Sequence, residues 1–86
     1  MPNIKQQEKR VRSASRQRLE NLRYRSTIKT LTRRLEDAVQ SEDSDRSAEE
    51  FRLLVRMIDK AASRGAIHKN TAARKKSQAA RLTAGV

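Results

Sequence analysis

The large apolar residues in the first half of this chain take up a helical rhythm only from Tyr24 onward. Placed 100° apart, as a 3.6-residue turn requires, Tyr24, Ile28, Leu31, Leu35, Ala38 and Val39 fall within an arc of about 100°, the width of a core-facing stripe. Upstream, Ile4, Val11 and Leu22 lie on a different face. A helix from about Ile4 to Gln40 would be roughly 55 Å long at 1.5 Å per residue. A compact globule of this chain length has a radius of gyration of only about 12 Å. The front half of such a helix must therefore project beyond any core the chain can form.

The chain has 86 residues, enough for a single domain spanning 1–86 with a thin core. With two glycines, one proline and two aromatics it lacks the turn-rich, β-favouring vocabulary of a sandwich or barrel. The expectation is an all-α three-helix bundle with one long, projecting, strongly basic N-terminal helix. "SEDSDRS" at Ser41–Ser47 is a polar connection, and Ser47 with Glu50 three residues on matches a capping box. The second helix is thus expected over about 46–64, with Ala48, Phe51, Leu54, Val55, Ile58, Ala61 and Ala62 on one apolar face. Gly65 supplies its stop, with Lys60 and Arg64 in the last turn. Asn70 is the candidate N-cap of a third helix over about 70–83, whose inward face is Ala72, Ala73, Ala79 and Ala80 with Lys76 among them. Tyr24 and Phe51 both lie on apolar stripes, which assigns them to packing rather than to base stacking.

Charge divides the chain more clearly than hydropathy. Residues 1–34 carry eleven Lys/Arg and two Glu, residues 35–59 three Arg and eight acids, and residues 60–86 seven Lys/Arg and no acid, for a net +11 overall. Such a surplus repels itself in a compact monomer and calls for a polyanionic partner. On the first helix Lys5, Lys9, Arg12, Arg16 and Arg23 align within about 60°, and Arg18, Arg25, Lys29 and Arg33 form a second cationic row. Solvated helix faces normally intersperse carboxylates, but Glu8 and Glu20 are the only acids in the first 34 residues. Phosphate contact is the better reading, since duplex nucleic acid carries about one charge per 1.7 Å and releases counterions on binding. The apolar residues upstream of Tyr24 share no face with the core, so the basic extension 1–23 is expected to be ordered by RNA.

Other chemistries lack their residues. There is no cysteine, which removes disulfide, zinc-thiolate and thiol-nucleophile readings. His68 is the only histidine and no acid follows Asp59, so no metal is expected there; the ring is expected to pack or hydrogen-bond in the turn before the third helix. No nucleophile has a base and an orienting group, and no glycine-rich loop surrounds Gly65. The chain is therefore read as no enzyme, with no cofactor and no small-molecule substrate. After Met1 it turns polar at once, without an apolar run for a signal peptide or membrane span, which predicts a cytoplasmic protein and no membrane. A basic-zipper reading of Asn70, Ala72, Ala73 and Ser77 fails on the spacing after Asn70 and on the missing leucine heptads.

Three blocks of sequence are specific: "PNIK" at Pro2–Lys5 with Lys9 and Arg10, "RSTIKTLTRRLEDAV" at Arg25–Val39, and "DKAASRGAIHKNTAARKKS" at Asp59–Ser77. In that order, over nearly the whole chain, they resemble the bacterial small-subunit ribosomal protein S-twenty family. The resemblance implies a three-helix bundle that binds 16S ribosomal RNA directly through backbone phosphates and supports its folding during assembly of the small ribosomal subunit. It further implies few protein contacts and a monomer outside the ribosome. Family basic residues carry over at Lys5, Lys9, Arg10, Arg25, Lys29, Arg33, Arg34, His68, Lys69, Asn70, Arg74, Lys75 and Lys76. Asn3, Lys60, Arg64 and Arg81 join the cationic rows in the full set expected at RNA. Gln6, Gln7 and Glu8 depart from the small or apolar residues of the family after "NIK", and Glu20 interrupts the cationic run.

Two rivals remain on composition. A nucleoid-type DNA-compacting protein would have to self-associate to bridge duplexes, and no apolar face is expected to be spare for that. A membrane-active amphipathic helix would need the short apolar stripe that the bundle uses.

Overall fold

The core is built from one side of each of three helices. In the computed structural model, which describes the backbone of residues 4–84 and the side chains of residues 8–84, these are α1 Ile4–Gln40, α2 Ser44–Ser63 and α3 Lys69–Thr83. Among the described residues there is no strand. Ile28, Leu31 and Leu35 of α1 pack with Leu54, Ile58 and Ala61 of α2 and with Ala72 and Ala79 of α3. Tyr24, Val39 and Phe51 lie half-buried against this cluster, in the packing role their spacing predicts.

Upstream of Asn21 every described residue of α1 is exposed. The molecule is accordingly a rod with a lump, 63 × 20 × 13 Å, with a radius of gyration of 17.2 Å, against about 12 Å for a globule of this length. The projecting half of α1 is helical by propensity and continuity rather than by packing, because it offers the bundle no apolar face.

Both connections are set by residues in the left-handed region. At the end of α2, Arg64 is the C-cap, Gly65 has φ 76°, and the Gly65 and Ala66 amides donate to Ala62 O at 3.1 Å and Ala61 O at 2.9 Å. These are the two bonds of a Schellman motif, and they deliver the buried Ala66 into the core. The end of α1 uses the same motif without a glycine. Glu42 takes φ 57°, its amide donates to Val39 O at 3.1 Å, and Asp43 N donates to Ala38 O at 3.2 Å.

Several local expectations are corrected. Asp43, not Ser47, caps α2: its Oδ1 accepts from Arg46 N at 3.1 Å, and the helix begins at Ser44. Once the tight turn at Glu42 places Asp43 in extended backbone, the first helical turn is already formed when Ser47 is reached. Ser47 then points inward, 2% exposed, and its Oγ, like Oε2 of Glu50, finds no hydrogen-bond partner among the described residues. With Ser47 and Met57 turned toward the core, Ala48 is exposed. At α3 the cap is His68, not Asn70: Nδ1 accepts from Asn70 N at 3.1 Å and the helix begins at Lys69. Only half of the alanine face of α3 is buried, since Ala73 and Ala80 are exposed while Ala72 and Ala79 are inside. The helix is rotated so that Leu82 reaches the core cluster. Covering one leucine removes more apolar area from water than covering two alanine methyls. Finally, an apolar face is left over: Val11, Leu19 and Leu22 are exposed on the projecting half of α1.

Candidate nucleic-acid interface

Where α3 starts beside α1, the two helices enclose an open groove of ≈ 610 Å³. Its α1 wall carries Arg25, Lys29 and Arg33, spaced four apart and therefore stacked along one side of the helix. The opposite wall carries His68 and Lys75, and Ile28 and Ile67 form part of the lining. Arg25 is held from behind: its Nε donates to Ala66 O at 3.3 Å, and among the described residues its terminal guanidinium nitrogens have no hydrogen-bond or ion-pair partner. The Schellman turn at Gly65 thus does two jobs, stopping α2 and presenting the carbonyl that orients Arg25.

The position of His68 follows from its role as cap. Accepting through Nδ1 fixes the tautomer that carries hydrogen on Nε2, so the ring retains one donor for an external acceptor. The amides of the first turn of α3 and its dipole add positive potential at the same place. Thr32 and Thr71 also line the groove, and Glu36 brings one carboxylate to its far end. Sequence reasoning passed over these three; the signal for Thr32 and Glu36 was their placement seven and eleven residues after Arg25, on the same side of α1.

The rest of the expected residues distribute over several faces. Lys9, Arg12, Arg16 and Arg23 are exposed along one ridge of α1, with Arg34 continuing it beside the bundle. Arg10 is exposed on another side of the projecting half, and Arg18 extends the groove row outward. Lys60 and Arg64 are exposed at the end of α2, and Lys69 and Asn70 open α3. Arg74 and Arg81 border a shallow depression on α3, and Arg81 also lines a depression of ≈ 410 Å³ that shares Thr32, Glu36 and Lys75 with the groove. Asn3, and the side chain of Lys5, lie outside the described residues.

Lys76 is the exception. Its Nζ makes a 2.8 Å ion pair with Oδ1 of Asp59, which ties α3 to α2. Among the described residues this is the one ion pair, so the other described cations meet no described carboxylate. Seven of the ten acids are gathered instead around the α1–α2 turn and the adjoining helix ends, from Glu36 to Glu50. Apart from Glu36 in the groove, the groove and the ridges are therefore positive surfaces that carboxylates of the described residues do not balance. Among the described residues no group of three or more His, Asp or Glu could hold a metal ion, and no helix is long and apolar enough to cross a membrane.

Comparison with known proteins is in keeping with this surface. The sequence profile of a family described as ribosomal protein S20 matches residues 2–84. Among similar proteins, a small ribosomal subunit protein bS20 of Kocuria rhizophila is 46% identical over 86 residues, covering 100% of both chains. One of the same name from Natranaerobius thermophilus is 48% identical over 84 residues, covering 98% of this chain and 92% of the relative.

Proposed function

The chain belongs to the ribosomal protein S20 family, and from that premise we propose that it is a structural, non-catalytic component of the cytoplasmic small ribosomal subunit that binds 16S ribosomal RNA directly through backbone phosphates. The observation that carries this reading is the set of uncompensated cations: 21 basic residues, with one ion pair formed among the described ones. Arg25, Lys29, Arg33, His68 and Lys75 clamp one stretch of backbone in the α1–α3 groove. Lys9, Arg12, Arg16 and Arg23 meet a second stretch on another side of α1, and Arg74 and Arg81 a third. By neutralising segments that would otherwise repel one another, the protein lets RNA helices pack, and it recognises backbone and shape more than base sequence. Arginine dominates α1, and its planar fork suits two-point phosphate contact.

Binding of purified protein to 16S RNA tests this when it is followed across a range of salt. Lys29→Gln combined with Arg33→Gln is expected to weaken binding and to flatten the log–log salt dependence by about 1.5. An unchanged slope would remove the groove from the interface. Outside the ribosome the protein acts as a monomer with few protein contacts.

A further inference from the structure

The family reading accounts for the cations but not for the apolar residues among them. Val11 is 66% exposed and Leu22 58% exposed, on a chain that has few large apolar side chains to spare. They do not lie at random. Val11, Arg18, Leu22, Arg25 and Lys29 fall within about 60° of one another around α1. The one carboxylate between Val11 and Arg33, Glu20, projects from roughly the opposite side of the helix. A depression of ≈ 550 Å³ bordered by Arg18, Leu22 and Arg25 shares Arg25 with the α1–α3 groove, so the row continues that interface outward along the projecting helix. The ridge of Lys9, Arg12, Arg16 and Arg23 is different in kind: its members are all cations, and the exposed Leu19 lies at its border, about 20° from Arg12 and about 60° from Leu22.

A purely cationic ridge suits bare phosphates. A row that alternates branched apolar side chains with arginines suits a surface that is itself banded, with uncharged edges between lines of negative charge. The wide, shallow minor groove of an A-form duplex has that pattern: ribose C–H edges, which apolar side chains can cover, interspersed with 2′-hydroxyls and bordered on each side by a phosphate backbone. A second copy of this chain fits poorly, because it would set Arg18 and Arg25 against the same cations. Building on the RNA-binding reading, we propose that the Val11–Leu22 row seats the minor groove of an RNA duplex, with Val11 and Leu22 against the riboses and Arg18 and Arg25 on the flanking phosphates. The two sides of the projecting helix then recognise different things, one the charge of an RNA backbone and the other the shape of an A-form groove.

The test compares two double variants of the full chain on 16S RNA, on a short A-form RNA duplex and on a B-form DNA duplex of the same sequence. Val11→Gln with Leu22→Gln keeps the helix, since glutamine is a good helix former and both sites are exposed. This variant is expected to weaken binding to both RNAs about tenfold while leaving the salt slope unchanged, because it removes apolar burial and no charge. Arg12→Gln with Arg16→Gln is expected to lower the slope by about 1.5 instead. On the DNA duplex, whose minor groove is too narrow for the row, Val11→Gln with Leu22→Gln is expected to change nothing. The proposal is overturned if that variant binds RNA like the parent, if it loses equally on DNA, or if sedimentation shows a parent dimer that it abolishes. Failure of the parent chain to bind 16S RNA at all would instead refute the ribosomal reading, and this inference with it.

Discussion

The two left-handed residues form a matched experiment on what holds the helix ends. Gly65 at φ 76° and Glu42 at φ 57° occupy the same place in the same motif, one with the residue the geometry favours and one without it. An L-residue in this region costs about 1–2 kcal/mol, whereas glycine loses about 0.5–1 kcal/mol more backbone entropy on folding. Glu42 has no side-chain hydrogen bond or ion pair among the described residues to set against its strain. It also places negative charge at the C-terminal end of α1, where the dipole disfavours it by about 0.3 kcal/mol or more. Glu42→Gly is therefore expected to stabilise the protein by about 1 kcal/mol. Gly65→Ala is expected to destabilise by a similar amount through backbone strain alone, since a Cβ there would meet nothing within 4 Å. In a domain of this size each change should move the melting temperature by about 4–8 °C, in opposite directions, followed by circular dichroism and urea titration. A Gly65→Ala protein as stable as the parent, or a destabilised Glu42→Gly, would mean that the left-handed backbone at these positions carries no strain for an L-residue.

Three further outcomes follow from particular side chains. Asp43→Ala should cost about 1 kcal/mol by removing the cap of α2, while Ser47→Ala should be neutral or stabilising because it deletes a buried hydroxyl without a partner; urea unfolding distinguishes this from a cap at Ser47, which would reverse the order. His68→Ala should cost the free protein about 1 kcal/mol and His68→Asp should restore it, since the aspartate can accept from the same amide; equal loss in both would show that the ring acts other than as a cap. Amides from Arg10 to Leu22 are expected to exchange rapidly in the free protein and slowly with 16S RNA, measured by hydrogen exchange; strong protection without RNA would contradict ordering by the partner.

Sequence alone located the long helix, the start of its buried stripe and the stop at Gly65, because each rests on a local signal. Periodicity marks Tyr24–Val39, and glycine is the default residue at φ above zero. Where two residues compete for one task, the sequence could not choose. Asp43 and Ser47 can both cap a helix, and the tie is broken by the turn at Glu42, an L-residue in a glycine's conformation that no pattern announces. Asn70 is the better cap by propensity, yet His68 is the residue in extended backbone (φ −73°, ψ 149°) immediately before the first helical turn, and its Nδ1 accepts from the Asn70 amide. The burial of Leu82 over Ala73 and Ala80 depends on how α3 rotates against two other helices, a tertiary choice. For the site, charge counting and helical spacing found the cations and their two rows along α1, but not which of them α3 would face. That Arg25, Lys29 and Arg33 face His68 and Lys75 follows from α3 docking beside α1, and that Lys76 turns instead to Asp59 follows from the same docking.

Direct recognition of ribosomal RNA through its backbone is the property on which the proposed role depends. It is measured by competition binding of the purified protein to protein-free 16S RNA, against random duplex DNA, from about 50 to 200 mM salt. The expected result is tight binding to the RNA, a log–log salt slope of several units, and a clear preference over DNA at every salt concentration. A flat salt dependence, or equal affinity for the two nucleic acids, would contradict it.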